Sequence, residues 1–184
     1  MKLLIKTPVA IIIMLAAIAA ASVFGGAWSL SRERSDIIAA FDDKEDPDSP
    51  QYEVDYIAHN INMLISFCDS PDIVSQSYVD AAGEALEALK AAEGADAKMD
   101  ALWQATQAAY ALYNAIDLES LGTVEQSFIE PLANDIGEAM ARIYTGEYSD
   151  RVDEFNDALG IFPARLMSEL FGVEPIRLFE GHDE

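Results

Sequence analysis

The side chains in this 184-residue chain that could do chemistry are 33 carboxylates, two histidines, one cysteine and the serines. The densest group is acidic: Asp42, Asp43, Glu45, Asp46, Asp48, Glu53 and Asp55 crowd around Pro47 and Pro50. Carboxylates packed this closely suggest calcium. However, an EF-hand loop needs alternating oxygen ligands and a glycine at its sixth position, and no register here supplies that glycine. A solvated charge run is the better reading. His59 and His182 lack partners at metal-ligand spacing such as H-E-x-x-H. No serine sits in a G-x-S-x-G elbow or an S-x-x-K motif, no glycine loop could cradle a phosphate, and no E-x-x-H pair could hold di-iron. The expectation is a chain with no catalytic residues, no cofactor-binding residues, no metal ligands and no cofactor. Paired carboxylates acting as general acid and base stay open as an alternative.

The element that would position everything else comes first in the chain. Residues 7 to 31 hold no charge, and as a helix those 25 residues reach about 37 Å, more than the ~30 Å hydrocarbon core of a bilayer. A cleaved signal peptide is the rival: Lys2 and Lys6 form a basic start, Val9 to Ala21 an apolar stretch, and Ala19-Ala20-Ala21 a cleavage site before Ser22. The run continues past that site to Ser31, and Trp28 stands where an interfacial aromatic would lie before Arg32 and Arg34, which favours a retained anchor. Lys2 and Lys6 precede the span, and the acidic domain follows it. That places the amino terminus in the cytoplasm and the domain outside the cell membrane, as a single-pass protein. The expected organisation is therefore an anchor over 1–31, an acidic linker over 32–55 and a helical domain over 56–184.

With Lys2 and Lys6 set aside, the 33 acids face 9 basic residues, a balance that repels phosphate backbones and excludes nucleic acid as a partner. About 150 residues suffice for one domain with its own core. Cys68, the only cysteine, permits no internal disulfide and is expected in a helix core.

Beyond the linker the apolar period is helical and no strand-like alternation appears. Ile57, Ile61, Leu64, Ile65 and Cys68 mark a first helix ending near Asp69. Ser70 and Pro71 open a second, striped by Val74, Tyr78, Ala82, Ala85, Leu86 and Leu89 up to Gly94. Asp96 caps a third, with Met99, Leu102, Trp103, Thr106, Tyr110, Tyr113 and Ile116 inward. The row Trp103, Tyr110, Tyr113 reads as bundle core. Thr123 and Gln126 form a capping-box pattern for a long fourth helix through Leu132, Ile136, Met140, Ile143, Tyr144, Tyr148, Val152, Phe155 and Leu159, with Pro131 kinking it or marking its start. The alanines of the second and third helices suit close packing in an antiparallel bundle of about four helices, so the fold class is all-α.

From Tyr148 to Glu180 the chain reads YSDRVDEFNDALGIFPARLMSELFGVEPIRLFE. Tyr148, Asp150, Val152, Phe155, Asn156, Phe162, Pro163, Leu166, Leu170, Phe171, Gly172, Phe179 and Glu180 resemble, without a gap, the C-terminal signature of the LemA family. In physical terms Pro163 starts a short amphipathic helix, Gly172 ends it through positive φ, and Phe162, Phe171 and Phe179 are expected to pack back on the bundle. The resemblance implies a single-span membrane protein carrying a long helical bundle, without naming a reaction. The acidic, proline-containing linker departs from the family, whose first helix usually continues straight from the membrane.

The functional expectation is a non-enzymatic interaction or scaffold module at the cell envelope. It would hold the lipid bilayer through its first helix, bind a membrane-associated protein partner, and have room for self-association into a homo-oligomer. The alternative is an envelope hydrolase or cation-binding module using clustered carboxylates.

Overall fold

A computed structural model describes residues 2–43, 49–70 and 73–177, with side chains from residue 9 onward. Among these residues there is no strand, and the helices are α1 (Lys2–Phe41), α2 (Pro50–Phe67), α3 (Gln76–Ala91), α4 (Ala95–Asn114), α5 (Thr123–Thr145), α6 (Glu147–Gly160) and α7 (Ala164–Phe171), with a 3-10 turn at Leu118–Ser120. The protein is all-α, a long apolar N-terminal helix followed by an antiparallel bundle. The described residues form two compact units, one within 37–152 together with 177, and the other of 2–36 with 153–176. This division differs from the expected single domain over 56–184.

In the larger unit α2 lies against α5, α3 and α4, and α3 pairs with α4. Its core is aliphatic: Val54, Ile57, Ile61 and Leu64 of α2 are buried, as are Leu86 and Leu89 of α3, Leu102 and Leu112 of α4, and Ile129, Ile136 and Ile143 of α5. Each set recurs at three or four residues, the spacing of one helix face.

Several sequence expectations need correction here. The linker is far shorter than 32–55, because α1 runs on to Phe41 and α2 already begins at Pro50. Ile37 and Phe41 are buried and Phe41 meets Tyr148 edge-on at 5.6 Å, so apolar packing extends the first helix past Arg32. Ser49 caps α2 by accepting the Tyr52 amide at 3.3 Å, and Pro50 takes the first helical position, where its missing N–H costs nothing. The acidic run is also more than a solvated face. Asp42 accepts from Lys98 Nζ at 2.7 Å, Asp55 accepts from Gln51 Nε2 at 2.7 Å, and Glu53 pairs with Arg142. Glu45, Asp46, Pro47 and Asp48 lie outside the described residues.

The second expected helix starts later, at Gln76 after Ser75. Ser70 is not its cap, and Pro71 lies outside the described residues. Val79, one residue on from the expected Tyr78, is buried, and Tyr78 is exposed. The third helix is preceded by Gly94 at φ 81°, a left-handed turn that glycine adopts without strain, and Asp96 sits inside the first turn instead of capping it. Trp103, Tyr110 and Tyr113 do not form the core. Trp103 is 39% exposed and the two tyrosines are half-buried, while Ala105, Ala109 and Leu112 take the inner face. Small side chains there let the backbones come close, which leaves the bulky rings at the margin.

The capping box of α5 is one residue earlier than expected. Glu125 accepts the Gly122 amide at 2.6 Å, and Gln126 reaches back to the carbonyls of Leu118 and Leu121. Pro131 lies within α5 rather than at its start. The single long fourth helix is two helices, broken at Gly146, whose ψ of 169° is extended. A Cβ at Gly146 would stand 2.7 Å from the Arg142 carbonyl oxygen, so the break demands glycine. The buried stripe runs on from Ile143 to Tyr148 and Val152, which is why periodicity alone hides the break.

In the smaller unit α1 is the one helix among the described residues long and apolar enough to cross a membrane, and its most apolar window has no buried residue. Gly172 ends α7 in the left-handed conformation, φ 67°, as expected. Phe162 and Phe171 are not buried: they are 78% and 42% exposed. Phe179 lies outside the described residues.

Candidate functional site

His59 lies exposed on α2, and His182 falls outside the described residues. Cys68 is buried at the end of α2, and burial pushes its thiol up to about 11, away from the thiolate that nucleophilic chemistry needs. Among the described residues no three His, Cys, Asp or Glu side chains gather to hold a metal ion.

Two polar pairs join α2 to α5. Arg142 donates to both Glu53 oxygens, Nε at 2.6 Å and Nη2 at 2.9 Å, a fork that fits the carboxylate plane. That contact pushes the guanidinium pKa further up, so the pair stays charged on the Arg142 side at any working pH. One turn of α2 away, the Tyr56 hydroxyl donates to Asp135 Oδ2 at 2.9 Å, and this bond raises the phenol pKa. A cleft of about 250 Å³ opens beside the fork, lined by Pro50, Thr145, Gly146 and Tyr148 among others. Its one described hydroxyl nucleophile outside tyrosine, Thr145 Oγ1, already donates to the Ala141 carbonyl at 2.9 Å. The arrangement locks two helices together and offers no activated nucleophile.

A shallow cleft of about 550 Å³ lies along α4 and α5, lined by Tyr110, Tyr113, Asn114, Asn134, Gly137 and Glu138. Gly137 makes room for it: a Cβ there would stand 2.9 Å from the Tyr110 hydroxyl oxygen. Partial burial raises the Tyr110 pKa, so this phenol is a neutral donor and acceptor at physiological pH. The cleft presents two aromatic side chains, two amides and one carboxylate.

In the smaller unit α7 and the segment after it lie along α1. Phe171 meets Phe24 edge-on at 5.4 Å, and a Cβ at Gly26 would run into the Met167 thioether. Arg34 Nε donates to the Glu174 carbonyl at 2.9 Å, and Arg32 stands over the Trp28 ring at 5.7 Å. Asn156 holds the end of this segment with both atoms of its amide, Nδ2 donating to the Ile176 carbonyl at 2.8 Å and Oδ1 accepting its N–H at 2.9 Å. Phe24, Trp28, Arg34, Phe171 and Glu174 surround a cleft of about 480 Å³.

The structure therefore places the signature-like residues in different roles. Tyr148, Val152 and Phe155 are buried, Asn156 clamps the tail, and Phe162, Leu166, Leu170 and Phe171 are exposed. Sequence reasoning missed the Glu53–Arg142 fork and the Asn156 clamp, because partners 89 and 20 residues apart leave no periodic trace. No family model, curated protein or solved structure matches this chain.

Proposed function

We propose that the protein is a membrane-tethered helical bundle of the LemA type that works as an interaction or scaffold module at the cell envelope, with α1 spanning the membrane and the bundle outside the cytoplasm. The observation that carries this reading is the pairing of two features. One is an N-terminal helix whose apolar residues 9–23 are almost all exposed; the other is a charge-coated bundle with an aromatic cleft between α4 and α5 that lacks an activated nucleophile. Exposed aliphatic side chains along such a length are at home in lipid and costly in water. Half-buried tyrosines such as Tyr110 and Tyr113, in a surface otherwise rich in carboxylates, are of the type that concentrates binding energy at protein interfaces. The gap-free resemblance from Tyr148 to Glu180 supports the same architecture.

The test is site-specific photocrosslinking in native membranes, with the crosslinker at Tyr113 in one strain and at Glu84 on α3 in another. A single membrane protein captured from Tyr113 and not from Glu84, with the chain remaining in the membrane after alkaline wash, is the expected result. Reproducible substrate turnover by the purified chain, abolished by one carboxylate substitution that leaves the fold intact, would overturn it in favour of an envelope hydrolase.

A further inference from the structure

We infer that α7 is a second membrane contact: a short helix lying in the lipid interface beside the span, with Leu166 and Leu170 turned into the bilayer. The inference rests on the reading of α1 as a membrane span and adds to it a surface that the span does not require.

The apolar side chains of α7 form two neighbouring rows. Met167 and Phe171, four residues apart, face α1 and meet it at Gly26 and Phe24. Leu166 and Leu170, one position round, are 45% and 63% exposed. Ile161 and Phe162 lead into the helix at 65% and 78% exposed. The opposite side is polar, carrying Arg165 and Glu169 in an ion pair at 3.1 Å. In water this helix and its lead-in would leave Ile161, Phe162, Leu166 and Leu170 wet within ten residues of chain.

The depth of the contact identifies what covers them. The ~30 Å hydrocarbon core takes about 20 helical residues, so if the uncharged run is centred in it, the core extends from about residue 9 to about residue 28. Phe24 and Gly26, which touch α7, fall inside that stretch, about 3 to 6 Å below its outer edge. Interfacial amphipathic helices bury their apolar face about 5 to 10 Å into the headgroup and acyl boundary. Trp28, Arg32 and Arg34 follow at the level where aromatic and basic anchors meet headgroups. The occupant of the exposed row is thus lipid, recognised by hydrophobicity alone, since the acidity of the chain gives it no attraction to anionic headgroups.

The experiment uses the full chain in phosphatidylcholine nanodiscs, on a Cys68→Ala background, with a spin label at Leu166→Cys, Leu170→Cys, Glu169→Cys or Ile12→Cys in turn. Accessibility is read with oxygen, which partitions into lipid, and with a water-soluble nickel chelate. The expected result is a several-fold higher oxygen-to-nickel ratio at positions 166 and 170 than at 169, a still higher ratio at 12, and no change when phosphatidylglycerol is added. Nickel accessibility at 166 and 170 equal to that at 169, with 12 remaining in lipid, overturns the inference and leaves the span intact. Labels at 166 and 170 immobile and shielded from both reagents also overturn it, since protein would then cover the row. Nickel accessibility at 12 overturns the span and this inference together.

Discussion

Asn156 grips Ile176 from both sides, accepting its N–H and donating to its carbonyl across twenty residues of chain. A side-chain amide used in this way copies one rung of a β-ladder. It satisfies a backbone pair that would otherwise lose its partners when Ile176, which is buried, leaves water. Asn156 lies on α6, while Ile176 ends the segment that follows α7.

The clamp predicts a local effect. Asn156→Leu keeps the volume and removes both bonds, so it should cost about 1 to 3 kcal/mol, drawn from the segment after Gly172. Hydrogen exchange at the Ile176 amide should quicken by at least about tenfold, while the α2 and α5 amides stay protected. Uniform acceleration across the bundle would show that the clamp is part of the global fold rather than a tether for the tail.

The Glu53–Arg142 fork predicts a measurable but modest coupling. The Glu53 side chain is 12% exposed and that of Arg142 50%, so water screens one end of the pair. A double-mutant cycle with Glu53→Gln and Arg142→Met should give a coupling of about 1 kcal/mol at low salt, from bidentate geometry that isolated surface pairs lack. It should shrink in 1 M salt, where the screening length falls to about 3 Å. A coupling indistinguishable from zero at low salt would mean that helix packing alone joins α2 to α5 at this level.

Alkaline pH should weaken the fold in a defined window. Burial raises the Cys68 thiol from 9 to about 11 and the Tyr144 phenol from 10 to about 12. Both groups are neutral when protonated, so the protonated state is the one the fold prefers. Their contribution is complete below about pH 9 and is lost as pH rises through the folded values. Denaturant midpoints should be flat from pH 7 to 8.5 and fall between pH 9 and 11, less steeply in Cys68→Ala. A thiol reagent at pH 8 should leave Cys68 unmodified until the protein is unfolded. Fast modification of the native protein would place the thiol at the surface.

Local features were legible in the sequence wherever a helix answers only to itself. The uncharged run, the stripes of α2 and α5, and the left-handed Gly172 all depend on spacing or on a single residue type, and those are written along the chain. Tertiary structure decided which residues on each helix actually meet a neighbour. Trp103, Tyr110 and Tyr113 match the period of a core face, yet Ala105 and Ala109 occupy it, because the line of closest approach between two helices favours small side chains. The stripe from Ile143 to Val152 gives no sign of the break at Gly146, since the apolar period is kept on both sides of it. The pairs Glu53 with Arg142 and Asn156 with Ile176 exist only once distant segments are brought together. The exposure of Phe162 and Leu170 likewise depends on where α7 ends up, since an apolar residue carries no mark of whether protein or lipid will cover it.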